Sequence, residues 1–200
     1  MAVKPLESFT LPVSADDMAA YLGLATPLSV ADNALLEGML ATACDMVRSY
    51  CNREFLERKW SMTITRFGEG PYMRGVAPVH PVWDGRVKLP FAPVTSVEGV
   101  YAIDEDNTEF TLEEGVDYFV DDDLEPGQVR MEHYPIMTKL RVEFTAGYAD
   151  EYEIPAQMLL AVKMLTAWLY EHRGVCDAAK ALMASGARNV LGSVMVRFGL

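Results

Sequence analysis

The chain has 200 residues, 50% of them apolar and 23% charged, proportions that exclude a disordered chain, a fibrous repeat or a membrane bundle. That length holds one domain, or one core with a substantial insertion, and excludes two large independent domains. With 17 Lys and Arg against 29 Asp and Glu the net charge is -12, which argues against general binding to duplex DNA by neutralising phosphates over the whole surface.

The first zone reads as helical. Ser14 to Asp17 has the form of a capping box, with Asp where Glu is usual. Met18, Tyr21 and Leu22 then give a short apolar face that Gly23 closes. A second start lies at Ser29 to Asp32. From there Leu36, Leu40, Ala43, Val47 and Tyr50 recur at three- and four-residue steps, with Glu37, Asp45 and Arg48 between them, which predicts an amphipathic helix of about five turns ending near Asn52.

The middle zone changes period. Trp60, Met62 and Ile64 alternate with Ser61, Thr63 and Thr65, and short β-like runs follow at Arg86 to Leu89, Val94 to Ile103, Tyr118 to Val120, Gln128 to Met131 and Leu140 to Thr145. Proline and glycine punctuate them, including Pro90, Pro93 and Pro126-Gly127. A small antiparallel sheet or sandwich is the expected product. Between Asp104 and Glu125 the chain places eleven of its 29 acids and no Lys or Arg.

The last zone returns to helix. Pro155 fits the first helical position, and Met158, Leu159, Val162, Leu165, Trp168 and Leu169 make so broad an apolar surface that this helix is expected to be buried, ending at Gly174. Asp177 can cap a further short helix, Ala178 to Ala184. Beyond Gly186 the tail has no acid, carries Arg188 and Arg197, and alternates Val194, Val196, Phe198 and Leu200 against Met195, Arg197 and Gly199. That alternation has two readings: the last strand of the chain's own sheet, or a flexible arm that adds to a partner. Gly186 and Gly192 ahead of it favour the arm.

Taken together the pattern is α+β. It comprises a helical core of two long helices and shorter ones (residues 1–57 and 150–186), an inserted small antiparallel sheet or sandwich (58–149) and a C-terminal arm (187–200).

Signs of catalysis are few. His80, His133 and His172 are scattered outside any metal-binding spacing, and no nucleophile elbow, phosphate-binding loop or dinucleotide fingerprint occurs. His172, one turn after Trp168, reads as a packed or partly exposed histidine at a helix C-terminus. Cys44, Cys51 and Cys176 are an odd set without a CxxC pair, which speaks against a disulfide framework or a zinc site and for a reducing compartment. Cys44 and Cys51 share a helix face but lie two turns apart, too far to bridge. The N-terminus has neither a basic region followed by an apolar run nor a membrane-spanning length of apolar residues, so no export or membrane anchoring is expected.

The acidic stretch allows three readings. Asp121 to Gly127 lacks the central glycine and terminal glutamate of a calcium loop, which weakens the metal reading. A second is a solvated edge kept soluble by charge. The third is a surface that repels phosphates, past which a polyanion slides without sticking. Its exposed candidates are Asp104, Glu105, Asp106, Glu113, Glu114, Asp121, Asp122 and Asp123.

In order and spacing, several segments resemble the head-tail connector (adaptor) family of tailed bacteriophages. They are DNALLEGMLATA at 32–43 continuing through Val47 to Arg53, WSMTITRF at 60–67, VKLPFAPVTSVE at 87–98, LRVEFTAGYA at 140–149, Ile154-Pro155, and Ala161 through Arg173. The resemblance covers roughly residues 14 to 175, whereas the glycine-rich ending departs from the proline and arginine ending usual there.

The resemblance implies a non-enzymatic virion protein without cofactor or metal, located at the head-tail junction and made in the cytoplasm of a bacterial host. It implies assembly as a ring of about twelve copies beneath the portal protein, with a downstream stopper or tail protein on the other side. Genomic DNA would pass through without sequence-specific binding. In that family a C-terminal arm engages the portal, so portal binding is expected of this chain's own arm, at Arg188, Val190, Leu191, Val194, Val196, Arg197, Phe198 and Leu200, while Arg173, at the end of its helix, is a candidate subunit contact. Two alternatives stand beside it: another neck protein such as a stopper or tail terminator, and a soluble metal-dependent enzyme or regulatory domain.

Overall fold

A computed structural model of the chain describes residues 1–64, 85–132, 137–172 and 177–197. The chain forms two compact units, a sheet unit built from Met1–Ser8 with Glu57–Gly147 and a helical unit built from Phe9–Leu56 with Tyr148–Arg197. The fold is α+β, as the alternation of helical and strand periods implies.

In the helical unit, α1 (Ala15–Leu22) and α2 (Val30–Cys51) start with the expected caps. Ser14 Oγ accepts from the Asp17 N–H at 3.0 Å, and Ser29 Oγ accepts from the Asp32 N–H at 3.1 Å. Each hydroxyl also donates to the same aspartate's carboxylate, at 2.7 and 2.6 Å. Gly23 closes α1 in the left-handed conformation at φ 69, and Asn52 closes α2 at φ 54, where a short polar side chain tolerates a positive φ.

The other helices are α3 (Ala156–Glu171), α4 (Ala178–Ala184) and α5 (Ala187–Leu191). Pro155 caps α3 from just outside, one position before the expected place. Asp177 caps α4 by accepting from the Ala179 N–H at 3.0 Å.

The apolar stripes meet in one core. Leu36, Leu40, Ala43 and Val47 of α2 are fully buried, as are Met158, Ala161, Val162 and Leu165 of α3. Cys44 and Cys51 lie in the same core as free thiols. Loss of hydration on burial is the main cause that pushes the Cys51 thiol up to about 11 and the Cys44 thiol higher still, the latter helped by the neighbouring Asp45 carboxylate.

Among the described residues the sheet unit has eight strands. They are β1 (Ala2–Pro5), β2 (Arg58–Ile64), β3 (Arg86–Lys88), β4 (Val94–Ile103), β5 (Glu109–Thr111), β6 (Tyr118–Asp121), β7 (Gln128–Met131) and β8 (Lys139–Ala146). One sheet has the order β1-β2-β8-β4-β5 and the other β3-β7-β6, all antiparallel. Strand β8 is central, and its even positions Leu140, Val142, Phe144 and Ala146 are all buried. Across from them Trp60, Met62 and Val100 share a core with Val87, Tyr118, Val129 and Met131 of the second sheet. Each sheet thus shows one apolar face to a common core, the arrangement of a sandwich.

Two strands were not expected. β1 pairs with β2 from Ala2↔Thr63 to Pro5↔Trp60, so the first eight residues belong to the sheet unit and not to the helical part. Pro5 obscured the strand, but on an edge it loses no ladder bond. β5 is exposed at every position and shows no apolar alternation to read.

Two predictions follow from the helical core. With Cys176→Ser as background, Cys44 and Cys51 should resist alkylation at pH 8 until denaturant unfolds the chain; burst labelling of either in native buffer would contradict their burial. Thr166 is fully buried, and its hydroxyl has no hydrogen-bond partner among the described residues. Thr166→Val should therefore raise stability by about 1 kcal/mol, read as a higher urea midpoint at constant slope.

Candidate functional site

The sequence points to two regions, the tail and the acidic stretch. The tail begins with the one-turn helix α5, not with extended chain. Ala187 and Leu191 are fully buried in the helical core, while Arg188 and Asn189 are exposed and Val190 is half-buried. Among the described residues the strand alternation of 194–197 does not pair into a sheet. Phe198, Leu200 and Arg173 lie outside the described residues, as do Cys176, His80 and His133.

What holds residues 194–197 is the end of α2. The last carbonyls of a helix lack intrahelical partners, and that of Cys51 accepts the Val196 N–H at 2.9 Å. Asn52 Nδ2 donates to the Val196 carbonyl at 3.0 Å, and Arg53 Nε donates to the Val194 carbonyl at 2.7 Å. Arg53 Nη1 also reaches the Tyr148 hydroxyl at 3.1 Å. Val196 is buried and Arg197 exposed.

The turn that presents Asn52 and Arg53 is itself anchored. Glu54 is fully buried, accepts the Phe55 N–H at 3.0 Å, and lies 3.6 Å from Arg48 Nη1. Arg48 Nη2 meets Asp45 at 2.7 Å. Removing one partner of a buried ion pair strands the other charge, so this turn has little freedom to vary. Sequence reading found the tail but missed its latch, because a backbone-to-backbone bond across 145 residues leaves no local signature.

The acidic residues are divided between the two sheets. Asp104, Glu105 and Asp106 form the β4–β5 turn, where Asp104 Oδ1 accepts the Thr108 N–H at 2.8 Å. Glu113 and Glu114 follow β5, and the Glu113 N–H donates to Asp117 at 2.9 Å. Asp121 ends β6, and Asp122 and Asp123 open the connection to β7. Among the acids of the stretch, Glu109 pairs with Arg141 of β8 at 2.6 Å.

Among the described residues no group of three or more His, Cys, Asp or Glu is arranged to hold a metal ion, and no helix is long and apolar enough to cross a membrane. His172 stacks on Trp168 with centroids 4.5 Å apart and planes at 10°. Its Nδ1 lies 3.0 Å from the Trp168 carbonyl, so the ring finishes α3. In the helical unit an open cleft of about 420 Å³ is lined by Asp16, Asp17, Glu37 and Glu151 with Ser14 and Asn33. It offers carboxylates and amide groups and no cation.

Arg53→Ala should speed amide exchange at Val196 about tenfold, the equivalent of one lost charge-assisted hydrogen bond of roughly 1.4 kcal/mol. Exchange mass spectrometry of the C-terminal peptide reads this directly, and unchanged protection would mean that Arg53 does not hold the tail.

No family model matches the chain, and no curated protein matches it by sequence. Solved structures do match, over the whole of it. A chain in the neck of an empty GTA particle, computed with C6 symmetry, aligns with TM-score 0.75 at 19% identity, covering 100% of this chain and 98% of that one. A chain in the virion of a native gene transfer agent (GTA) particle gives 0.72 at 19%, and one in the neck of the native particle, computed with C12 symmetry, gives 0.70 at 18%, both with the same coverage. At such identity the likeness is one of fold: along its whole length this chain has the fold of chains found in gene transfer agent necks and virions.

Proposed function

We propose that this chain is a structural protein of a phage-like particle, a head-tail adaptor that forms a ring beneath the portal and gives the stopper or tail protein its platform. The observation that carries this reading is the whole-chain likeness to neck chains, at TM-scores of 0.70 to 0.75. It is supported by the ordered segments that resemble the adaptor family over residues 14 to 175. The reading makes the chain non-enzymatic and its working form a ring of about twelve copies, a closed heterologous assembly.

Charge fits the role. A surface at -12, with an acid-only stretch from Asp104 to Glu125, lets a DNA duplex pass without holding it. On this reading the acidic residues line or border the channel.

Portal binding falls to the tail, in a narrower form than the sequence suggested. Ala187 and Leu191 are core residues of the helical unit, so the contact surface in 187–197 reduces to exposed Arg188, half-buried Val190, and the segment from Val194 onward. Arg188 and Arg197 supply positive charge in an acid-free tail. Phe198 and Leu200 complete the arm in this proposal, and Arg173 a contact between subunits.

Truncation after Ser193 separates the arm from the core. It leaves α5 in place and should weaken binding to the cognate portal ring at least tenfold, about 1.4 kcal/mol, with a modest fall in melting temperature. Unchanged portal binding would remove the arm assignment. Capture of a stopper or tail ring by the same segment would place the chain lower in the neck.

A further inference from the structure

The five-stranded sheet ends in two open edges, β1 on one side and β5 on the other. The Leu6 N–H donates to the Lys59 carbonyl at 2.9 Å. By antiparallel alternation Lys4 and Ala2 also turn their backbone groups to β2, which leaves those of Val3 and Pro5 pointing outward. At the other edge the Leu112 N–H donates to the Val100 carbonyl at 2.9 Å and the Asp104 N–H to the Thr108 carbonyl at 3.1 Å, so Glu109 and Thr111 of β5 point outward. Among the described residues nothing bonds to the outward backbone groups of either row. Such an edge is a template for another strand.

The sandwich is also incomplete at β5. Phe110 stands opposite Ala102, which is 2% exposed in the core, and residues in register share a face. Phe110 is nevertheless 52% exposed, so the core-facing row runs out uncovered at this edge. In β1 the same row carries Val3, opposite the fully buried Met62 and packed on the same core. The two edges differ in charge. β1 has the exposed Lys4 and no acid, whereas β5 has Glu109, paired with Arg141 at 2.6 Å, and runs on to the exposed Glu113 and Glu114.

We infer that β1 of one copy pairs with β5 of the next, so that the five-stranded sheets continue from subunit to subunit. This rests on the ring assembly proposed above and names the strands that carry it. Each step across an antiparallel sheet reverses the strand, and four steps separate β1 from β5, so the two edges run parallel. Copies repeated side by side therefore meet as a parallel pair, in which an outward residue bonds to the two neighbours of the residue opposite. Val3 then lies opposite Phe110 of the next copy. Its N–H donates to the Glu109 carbonyl, its carbonyl accepts the Thr111 N–H, and its side chain covers Phe110 on the core-facing side. On the solvent face Lys4 falls beside Thr111, between Glu109 and Glu113. Pro5, without an N–H, ends the ladder.

Other pairings fit less well. β5 on β5 sets acid against acid, and β1 on β1 sets Val3 against the missing donor of Pro5. Two unlike edges make a heterologous contact, which propagates into a ring or filament.

The test uses the full chain in a Cys176→Ser background with Lys4→Cys and Thr111→Cys, alone and mixed with its portal ring. Within one chain the two positions lie four strands apart, roughly 19 Å, beyond the reach of a disulfide. Mild oxidation should therefore give a ladder of dimers, trimers and larger species, while chains with either cysteine alone stay monomeric. Adding Val3→Pro deletes an outward N–H and no bond within the chain, and should cut the ladder about tenfold at an unchanged melting temperature. Phe110→Ser, at the opposite edge and already exposed in the free chain, should cut it likewise.

No ladder, a ladder that neither change diminishes, or dimers from a single cysteine would each overturn the contact. Should Val3→Pro also lower the melting temperature, Phe110→Ser decides, and an undiminished ladder then overturns it. Rings on the portal without a ladder would sink this contact and leave the neck reading standing. A ladder from a chain that ignores the portal would uphold the contact and count against that reading.

Discussion

The antiparallel register of β2 against β8 is the constraint on which the rest depends. Arg58 lies opposite Ala146 and Ile64 opposite Leu140, so the chain that leaves the helical part after Leu56 returns beside its own exit. On the helical side Leu56 bridges Tyr148, and the Tyr148 N–H donates to the Phe55 carbonyl at 3.1 Å. Only because the ends of the insertion are pinned in this way can α2 and α3, separated by a hundred residues of sequence, share one core. A slip of one residue would turn Leu140, Val142, Phe144 and Ala146 outward, which the burial of all four forbids. The entropic cost of closing so long an insertion grows only slowly with its length, so a single well-registered strand pair suffices.

A second economy lies at the end of α2. Its unpaired carbonyls need partners, and the C-terminal segment supplies one through Val196, while Asn52 and Arg53 hold the same segment from the side. The buried Glu54 and Arg48 fix the turn that presents them. The segment that finishes α2 in this chain is also the one proposed above to meet a partner; on that proposal, partner binding and helix capping draw on the same backbone groups at Val194 and Val196.

Much of the fold was legible because local signals agreed with the tertiary outcome. Ser14, Ser29 and Asp177 announced helix starts, Gly23 and Asn52 announced stops, and the buried faces of α2 and α3 follow the 3.6-residue period. All six β-like runs match observed strands, and in the longer ones one face is apolar. β1 and β5 escaped notice since edge strands need no such alternation: Pro5 argued against one, and the acidic, fully exposed Glu109–Thr111 concealed the other.

The tail misled for a related reason. Val194, Met195 and Val196 have a strand's composition, but their hydrogen bonds go to a helix end, and α5 is too short for a periodic signal.

The charge of -12 thus resolves into parts with different tasks. An acid-only stretch is spread along the margins of two sheets, and the tail beyond Gly186 has no acid. On the proposed reading, such a distribution suits a subunit that meets its own copies and a partner ring while leaving DNA unbound. Electron microscopy of the full-length chain mixed with its cognate portal tests this account most directly. The account predicts a closed ring of this chain stacked coaxially on the portal, with the C-terminal segment at the junction; free monomers beside bare portals at saturating concentration would contradict it.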